Sequence, residues 1–371
     1  MKSNYRYIVK AFMAMAVIAG TTSCDDFLDR EPMSSISPET YYSTAAQLEA
    51  NLNDEYPNVL PSFGQWTYGI FGEDKGTDNQ IEVNANDRYT QDRWKVPHSE
   101  SDNWKFERIY RINFFLSEAL PKFGEDMSGS QNTISGSVAT IKHYIGEMYF
   151  LRAYEYFKKL QLFGDFPIIN QPLADEMEAL REASKRFPRN EVARFIISDL
   201  DKAYAYMSDV DMATTRINKD VAMLVKSRVA LFEATWLQNF KGTAFVPGGE
   251  GWPGASLHNN YQYPSGNIDN EVKYFLEQAV EASKLVADKY KGSLTENTGV
   301  LQQSADDPSN PYFDMFAQED LSDVKEVLLW RQYARGLSTH NINAAAGRGN
   351  YRIGLTRGFV QNFLMKDGTP V

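Results

Sequence analysis

The stretch Ile141–Pro167, IKHYIGEMYFLRAYEYFKKLQLFGDFP, decides the fold of this chain. It forms most of a segment, 138–163, whose apolar residues lie most of the way round a helix rather than along one stripe. A helix of that kind is buried between neighbours. Gly164 suits the position that ends a helix, and Pro167 prevents its continuation. We therefore predict a central helix over 138–163 with other helices around it.

Arg152 lies inside this otherwise apolar segment. An arginine in such a place can bury its aliphatic stem only if its guanidinium meets hydrogen-bond acceptors. We expect a carboxylate or helix-end carbonyls to accept from it. The sequence therefore predicts a structural role for Arg152.

Other segments repeat apolar residues at helical spacing. Ile109, Ile112, Leu116 and Leu120, for example, recur three or four residues apart and form one stripe. The segments are 103–120, 190–207, 219–240 and 270–290. Helices of about twenty residues in pairs predict a mainly α fold with degenerate tetratricopeptide-like pairs. An ordinary helical bundle is the alternative.

The remaining segments lack helical spacing. We expect 24–62 to be an extended or loosely helical tether that docks on the helical body, and 63–100 to form long loops. A loop rich in glycine and proline covers 242–268, and 326–330 is a candidate short strand. The predicted organisation is a leader at 1–23, a helical region at 24–240 and a further, incomplete region at 241–371.

The amino terminus has the pattern of a lipoprotein leader. Three basic residues precede an apolar run at 11–19, and Cys24, the only cysteine of the chain, follows small residues. The run is about half the length that a membrane span requires. The sequence therefore predicts signal cleavage and lipidation at Cys24, with an outer-membrane location. A plain secretory leader with an incidental cysteine is the alternative.

Composition excludes several classes of function. The net charge is −11, which disfavours nucleic acid and anionic lipid surfaces as partners. Lipidation would leave no thiol for disulfides or cysteine catalysis. The four histidines do not have metal-site spacing, so we predict no metal and no cofactor. Glycosidase chemistry is an alternative that no motif supports.

Aromatic residues in the predicted loops are the candidate binding residues. Flat rings can stack on the apolar faces of sugars, and nearby amide side chains such as Asn79 and Asn259 can bond their hydroxyls. The alternative is that these rings fasten the loops to the helical body. The candidates are Trp66, Tyr68, Trp94, Trp252, Tyr261 and Tyr263.

Several short motifs, in order along the chain, resemble the RagB/SusD family of outer-membrane nutrient-binding lipoproteins. The most specific are Leu151-Arg-Ala-Tyr154 and Phe163-Gly-Asp-Phe-Pro167. The others are 24–29 (CDDFLD), 104–113, Asp199-Leu200, 226–231 (KSRVAL), 359–363 and 365–368 (MKDG).

This resemblance implies a helical body with tetratricopeptide-like pairs and an irregular ligand-binding portion. It also implies a SusC-like TonB-dependent transporter as partner, an oligosaccharide or other nutrient as ligand, and no catalysis. A secreted glycosidase or a non-binding scaffold remains the alternative. Family members usually continue past the segment at 365–368, so a chain that stops at Val371 is expected to lack C-terminal helices.

Overall fold

The structure is a computed structural model, which describes residues 41–61, 72, 74–82, 103–124, 126–208, 212–301, 304, 306–334, 336, 339–340, 353–365 and 367–370. It is mainly α, as the sequence predicts. None of the helices in these ranges combines the length and apolar character that crossing a membrane requires.

The first three helices pack together, with the third at the centre. They are α1 (Ala45–Val59), α2 (Glu107–Phe123) and α3 (Val138–Phe163). Thr44 begins α1 with a capping box, in which its side chain and that of Gln47 each bond the other residue's backbone N–H. Thus α1, within the predicted tether, is a regular helix. Both α1 and α2 pack against α3, which is buried along almost its whole length.

The second group of helices continues this packing. Helix α5 (Arg189–Tyr206) lies against α3, α6 (Lys219–Asn239) lies against α5, and α7 (Ile268–Tyr290) lies against α6. Asn218 and Asn267 begin α6 and α7 by accepting from Val221 N and Asn270 N. The predicted boundary at residue 240 therefore falls in the connection between two helices that pack together.

Short elements complete the described fold. They are α4 (Met177–Ala183), α8 (Pro311–Met315), α9 (Arg357–Val360), a 3₁₀ turn (Pro253–Ser256), and strands β1 (Gln80–Glu82) and β2 (Ile353–Leu355). The strands pair antiparallel, with Ile81 opposite Gly354. A short strand thus lies within the predicted long loops of 63–100.

The predicted strand at 326–330 is wrong. The structure assigns turns and irregular backbone there. Isolated bonds hold the segment to the connection between α5 and α6. Asn218 Nδ2 donates to the Leu328 carbonyl at 2.8 Å, and Trp330 N donates to the Thr214 carbonyl at 3.2 Å. Single bonds of this kind do not make a ladder.

A close contact fixes how α3 crosses α5. Gly146 in α3 has no side chain, and a Cβ there would lie 2.8 Å from Met207 N and 2.9 Å from the Ala203 carbonyl oxygen. Two helix backbones can approach this closely only where one residue lacks a side chain. Gly146 therefore sets the spacing between the two helices.

A buried polar network ties α1 to α3 and to the chain before α6. The Tyr56 hydroxyl donates to Glu147, and it accepts from Ile217 N at 2.9 Å. Arg216 Nε donates to Glu147 Oε1 at 3.0 Å. Glu147 is fully buried, so these donors replace the water that its carboxylate loses.

Candidate functional site

The candidate site is a cleft of about 510 Å³ with aromatic walls, here called the Trp252 cleft. It lies where the end of α3 and the start of α5 meet α6 and the loop 241–267. Its volume is within the range of about 300–1,000 Å³ that small-molecule sites occupy. Its lining residues are Gln161, Leu162, Phe163, Gly164, Asp165, Arg186, Arg189, Trp236, Ala244, Phe245, Trp252, Pro253, Gly254 and Leu257.

The turn after α3 supplies the floor of the cleft. Gly164 ends the helix with φ of +69°, a left-handed conformation that favours glycine. Phe166 then pairs with Phe187 through two backbone bonds of 3.2 and 3.1 Å. This pairing brings the start of α5 beside the end of α3.

Asp165, in the middle of this turn, caps α5 from outside the helix. Pro188, at the N-cap of α5, makes no side-chain capping bond. Asp165 Oδ1 instead accepts from Arg189 N at 2.9 Å. A carboxylate at the positive end of a helix is stabilised by the free N–H groups and the helix dipole. The negative charge of Asp165 is thus partly compensated within the fold.

Trp252 provides the second partner of Asp165. Its indole Nε1 donates to Asp165 Oδ2 at 2.7 Å. Burial raises the pKa of the Asp165 carboxyl above its usual value, whereas the Trp252 and Arg189 N–H bonds and the nearby Arg189 and Arg186 charges act in the opposite direction. The bond joins the loop 241–267 to the turn after α3.

Arg189 and Trp236 form the wall on the side of α6. Arg189 Nε and Nη2 donate to the two oxygens of Glu233 at 3.0 and 2.9 Å, and both side chains are buried. The Arg189 guanidinium carbon lies 4.1 Å from the centroid of the Trp236 ring. This pair leaves little charge of Arg189 available for a ligand.

Three further bonds hold the loop 241–267 in place. Asn190 Nδ2 donates to the Tyr261 hydroxyl at 2.9 Å, and the Tyr263 hydroxyl donates to the Pro247 carbonyl at 2.7 Å. His258 Nε2 donates to the Arg186 carbonyl at 2.8 Å. The loop is therefore fastened to α5 and to itself at several points.

The predicted binding residues have different surroundings in this structure. Trp252 lines the cleft, but only 5% of its surface is exposed. The ring packs against His258 and Tyr261, and the bond to Asp165 satisfies its N–H. Tyr261 and Tyr263 are half-buried, and neither is among the residues that line the cleft. Their roles in ligand binding stay predictions.

Other predicted residues fall outside the described part of the chain. These are Cys24, Trp66, Tyr68 and Trp94. Arg152 is described: it is buried, and its guanidinium meets the carboxylate of Asp199. That contact has the expected geometry, and the structural role stays a prediction.

Sequence reasoning missed three exposed apolar residues of the cleft. Phe245 is 61% exposed, and Leu257 and Leu162 are also exposed. Phe245 follows the helix α6 and precedes the predicted tryptophan in the same loop, so its position in a glycine-rich segment was the available signal. Together these side chains give the cleft an apolar rim.

The described residues contain no group of three or more histidine, cysteine, aspartate or glutamate side chains arranged to hold a metal ion. The chemistry that the cleft offers is an apolar rim, stacked guanidinium groups and the engaged carboxylate of Asp165. Such an arrangement suits binding of a ligand with both apolar faces and polar groups.

Comparison with known proteins gives relatives along much of the chain. The chain is 25% identical over 253 residues to the SusD-like protein P2 of Formosa agariphila, a match that covers 65% of this chain and 46% of that protein. It is 25% identical over 233 residues to SusD-like protein P25 of the same organism, covering 58% and 41%. The chain spans about half the length of the curated relatives it matches.

A solved structure shows the same fold. It is a SusD-like carbohydrate-binding protein from Bacteroides fragilis, 14% identical, with a TM-score of 0.53 over 90% of this chain and 56% of that one. A family model, SusD-like, described as starch-binding and associating with the outer membrane, matches residues 26–231. Since this match covers more than half of the chain, the protein belongs to the SusD-like family.

Proposed function

We propose that this protein is a cell-surface lipoprotein that binds an oligosaccharide or another nutrient and delivers it to a SusC-like TonB-dependent transporter. The observation that carries the proposal is the family match over residues 26–231, whose description joins starch binding to the outer membrane. The protein acts in this proposal by binding, without chemical conversion of its ligand.

The anchor is the first element of the proposal. Cys24 follows an apolar run and small residues, as in a lipoprotein leader. Each buried methylene of a lipid chain contributes about 0.8 kcal/mol, so two or more chains hold a protein stably at a membrane. Labelled palmitate should enter the wild-type protein and not Cys24→Ser, and equal labelling of both would contradict the anchor.

The ligand surface is the second element. We propose that it includes the loop 241–267 at the Trp252 cleft together with Trp66, Tyr68 and Trp94. Support in the described residues comes from Phe245, an exposed ring in a cleft that also contains polar groups. A sugar presents apolar C–H faces and hydroxyls, and a ring beside polar groups can bind both.

A binding experiment tests this element. The purified mature protein is titrated with a panel of soluble glycans, and the incubated glycans are analysed for chain shortening. We expect binding without products, and a loss of affinity of several-fold in Phe245→Ala, because a stacked ring contributes about 1 kcal/mol. Phe316→Ala is the control, since Phe316 is 72% exposed and does not line the cleft.

The same experiment separates the alternatives. Shortened glycans would favour a secreted glycosidase. Absence of binding to every glycan and peptide in the panel would favour a scaffold. An equal loss of glycan affinity in the Phe245 and Phe316 variants would place the ligand surface outside the Trp252 cleft.

The transporter is the third element, and crosslinking in intact outer membranes tests it. We expect a TonB-dependent barrel to be crosslinked to the wild-type protein and not to the Cys24→Ser variant, which would lack its anchor. Crosslinks only to proteins other than transporter barrels would contradict the proposed delivery step.

A further inference from the structure

We propose that the Trp252 cleft selects acidic sugar residues, with Arg186 binding their carboxylate or sulfate group. The inference rests on the proposed glycan-binding function and names the class of ligand that this cleft takes. Its basis is one arginine at the rim whose charge the fold leaves available.

The ring of Trp104 positions the Arg186 guanidinium and leaves its N–H groups available to a ligand. Its guanidinium carbon lies 4.6 Å from the centroid of the Trp104 ring, and the residue is exposed. Trp104 is itself fixed by edge contacts with Phe163 and Phe166, each at 4.9 Å between ring centroids. A guanidinium stacked on a ring keeps its N–H edge available for a carboxylate or sulfate, which it binds with two parallel bonds.

No side chain in the described ranges forms an ion pair or hydrogen bond with the Arg186 guanidinium. Within those ranges, the hydrogen bond of Arg186 is made by its backbone carbonyl, which accepts from His258. The other cation of the cleft, Arg189, is paired with Glu233 through two-pronged bonds. An anion that enters the cleft therefore meets Arg186 as the available cation.

The Asp165 carboxylate, on which the Arg186 charge also acts, is compensated chiefly by other groups. Both oxygens of Asp165 are engaged, one by Trp252 Nε1 at 2.7 Å and the other by Arg189 N at 2.9 Å. The positive end of α5 adds to this compensation. Asp165 thus opposes a bound anion less than an exposed carboxylate would.

The remainder of the rim fits a sugar ring. Leu162, Phe245 and Leu257 are each more than half exposed, at 54%, 61% and 53%. They offer apolar contact for C–H faces, while the guanidinium fixes the position of the acidic substituent. A neutral sugar would contact the apolar side chains alone, whereas an acidic sugar would also bond the Arg186 guanidinium.

The test measures affinity by titration calorimetry for three oligosaccharides of matched length: an oligogalacturonate, its methyl ester, and a sulfated galactan fragment. The variants are Arg186→Gln, Arg186→Lys and the control Arg181→Gln, which alters an exposed arginine outside the cleft. Melting temperatures confirm that each variant is folded.

We expect Arg186→Gln to weaken binding of at least one anionic glycan by about tenfold or more, because it removes charge-assisted hydrogen bonds to the anionic group. Binding of the methyl ester should change less than about twofold, and Arg186→Lys should restore part of the lost affinity. Loss confined to the oligogalacturonate identifies a carboxylate ligand, and loss confined to the galactan identifies a sulfate ligand.

Several results would overturn the inference. One is anionic binding that Arg186→Gln leaves unchanged, and another is an equal loss for the methyl ester. Binding of the neutral glycan alone would remove the inference while leaving the proposed glycan-binding function intact. Failure of every glycan to bind the wild-type protein would remove both.

Discussion

Arg152 of α3 and Asp199 of α5 form a buried two-pronged ion pair, with Nε 2.6 Å from Oδ2 and Nη2 2.8 Å from Oδ1. The remaining donor, Nη1, bonds Asn113 Oδ1 at 2.9 Å and the Asn170 carbonyl at 3.1 Å. One side chain therefore joins α2, α3, α5 and the chain after α3.

Arg152→Met should destabilise the protein by about 3–5 kcal/mol, since it leaves the buried Asp199 carboxylate without its partner. Urea unfolding followed by circular dichroism measures the change. The double variant Arg152→Met/Asp199→Leu, which removes the stranded charge as well, should recover much of the loss. An unchanged unfolding midpoint in Arg152→Met would contradict the structural role of this arginine.

Gly146→Ala should destabilise the protein by about 2 kcal/mol. Alanine improves helix propensity by about 1 kcal/mol, but here its Cβ would lie 2.8 Å from Met207 N. Because the contact is with backbone, the helices must separate, at the upper end of the usual cost of overpacking of about 1–3 kcal/mol. Gly292→Ala is the control, because nothing lies within 4 Å of a Cβ there. Equal stability of the two variants would show that α3 and α5 are not in close contact at Gly146.

Trp252→Phe should destabilise the protein by about 1–2 kcal/mol, because it keeps an aromatic ring but removes the N–H that bonds Asp165. Trp330→Phe is the matched control. Trp330 Nε1 donates to the neutral hydroxyl of Thr214 at 2.8 Å, and a bond between neutral groups contributes about 0.5–1.5 kcal/mol. Chemical denaturation measures the free energy of unfolding of both variants. A larger loss of stability in Trp330→Phe than in Trp252→Phe would argue against the Asp165 bond as the anchor of the loop 241–267.

Stability should fall in acid partly through Glu271. Burial alone would raise the pKa of this carboxyl, but bonds from Arg194, Asn190 and Ser265 outweigh it and hold the pKa below its ordinary value of 4.5. A carboxyl whose pKa is lower in the folded state than in the unfolded chain stabilises the fold at pH values above its unfolded-state pKa. That contribution is lost as the pH falls through the lower, folded-state value.

Glu271→Gln should therefore reduce the dependence of the unfolding free energy on pH below about pH 4.5. Glu277→Gln is the control, since Glu277 lies on the same helix with its side chain 64% exposed. Unfolding curves recorded at intervals of pH give the slopes. Equal slopes for wild type and Glu271→Gln would show that the Arg194 contact does not act on this carboxyl.

Much of the helical body could be predicted because its signals are local. The apolar residues that lie most of the way round 138–163, with Gly164 after them, predict α3 at the bounds that the structure has. Helix α1 was harder to predict, since Pro57 and several polar residues obscure its spacing, and contacts of Leu48 and Leu52 with distant helices stabilise it. The segment at 326–330 has strand composition, but whether it pairs depends on a partner strand that sequence spacing does not reveal.

The cleft could be predicted only in part, because its residues come together through tertiary contacts. Composition pointed to the loop around Trp252, but the ring is buried and its N–H bonds Asp165, a residue 87 positions away in sequence. The availability of Arg186 depends on where Trp104 lies and on the partner that Arg189 takes. Neither relationship has a local sequence signal.

The fastening of the loop 241–267 by Trp252, His258 and Tyr261 has a kinetic consequence for ligand capture. A wall that is already ordered loses little conformational entropy when a ligand arrives, so association does not wait for a slow closure step. We expect stopped-flow mixing to show a single phase whose rate rises linearly with glycan concentration. Rapid loading of this kind would suit the proposed transfer of each ligand to a transporter.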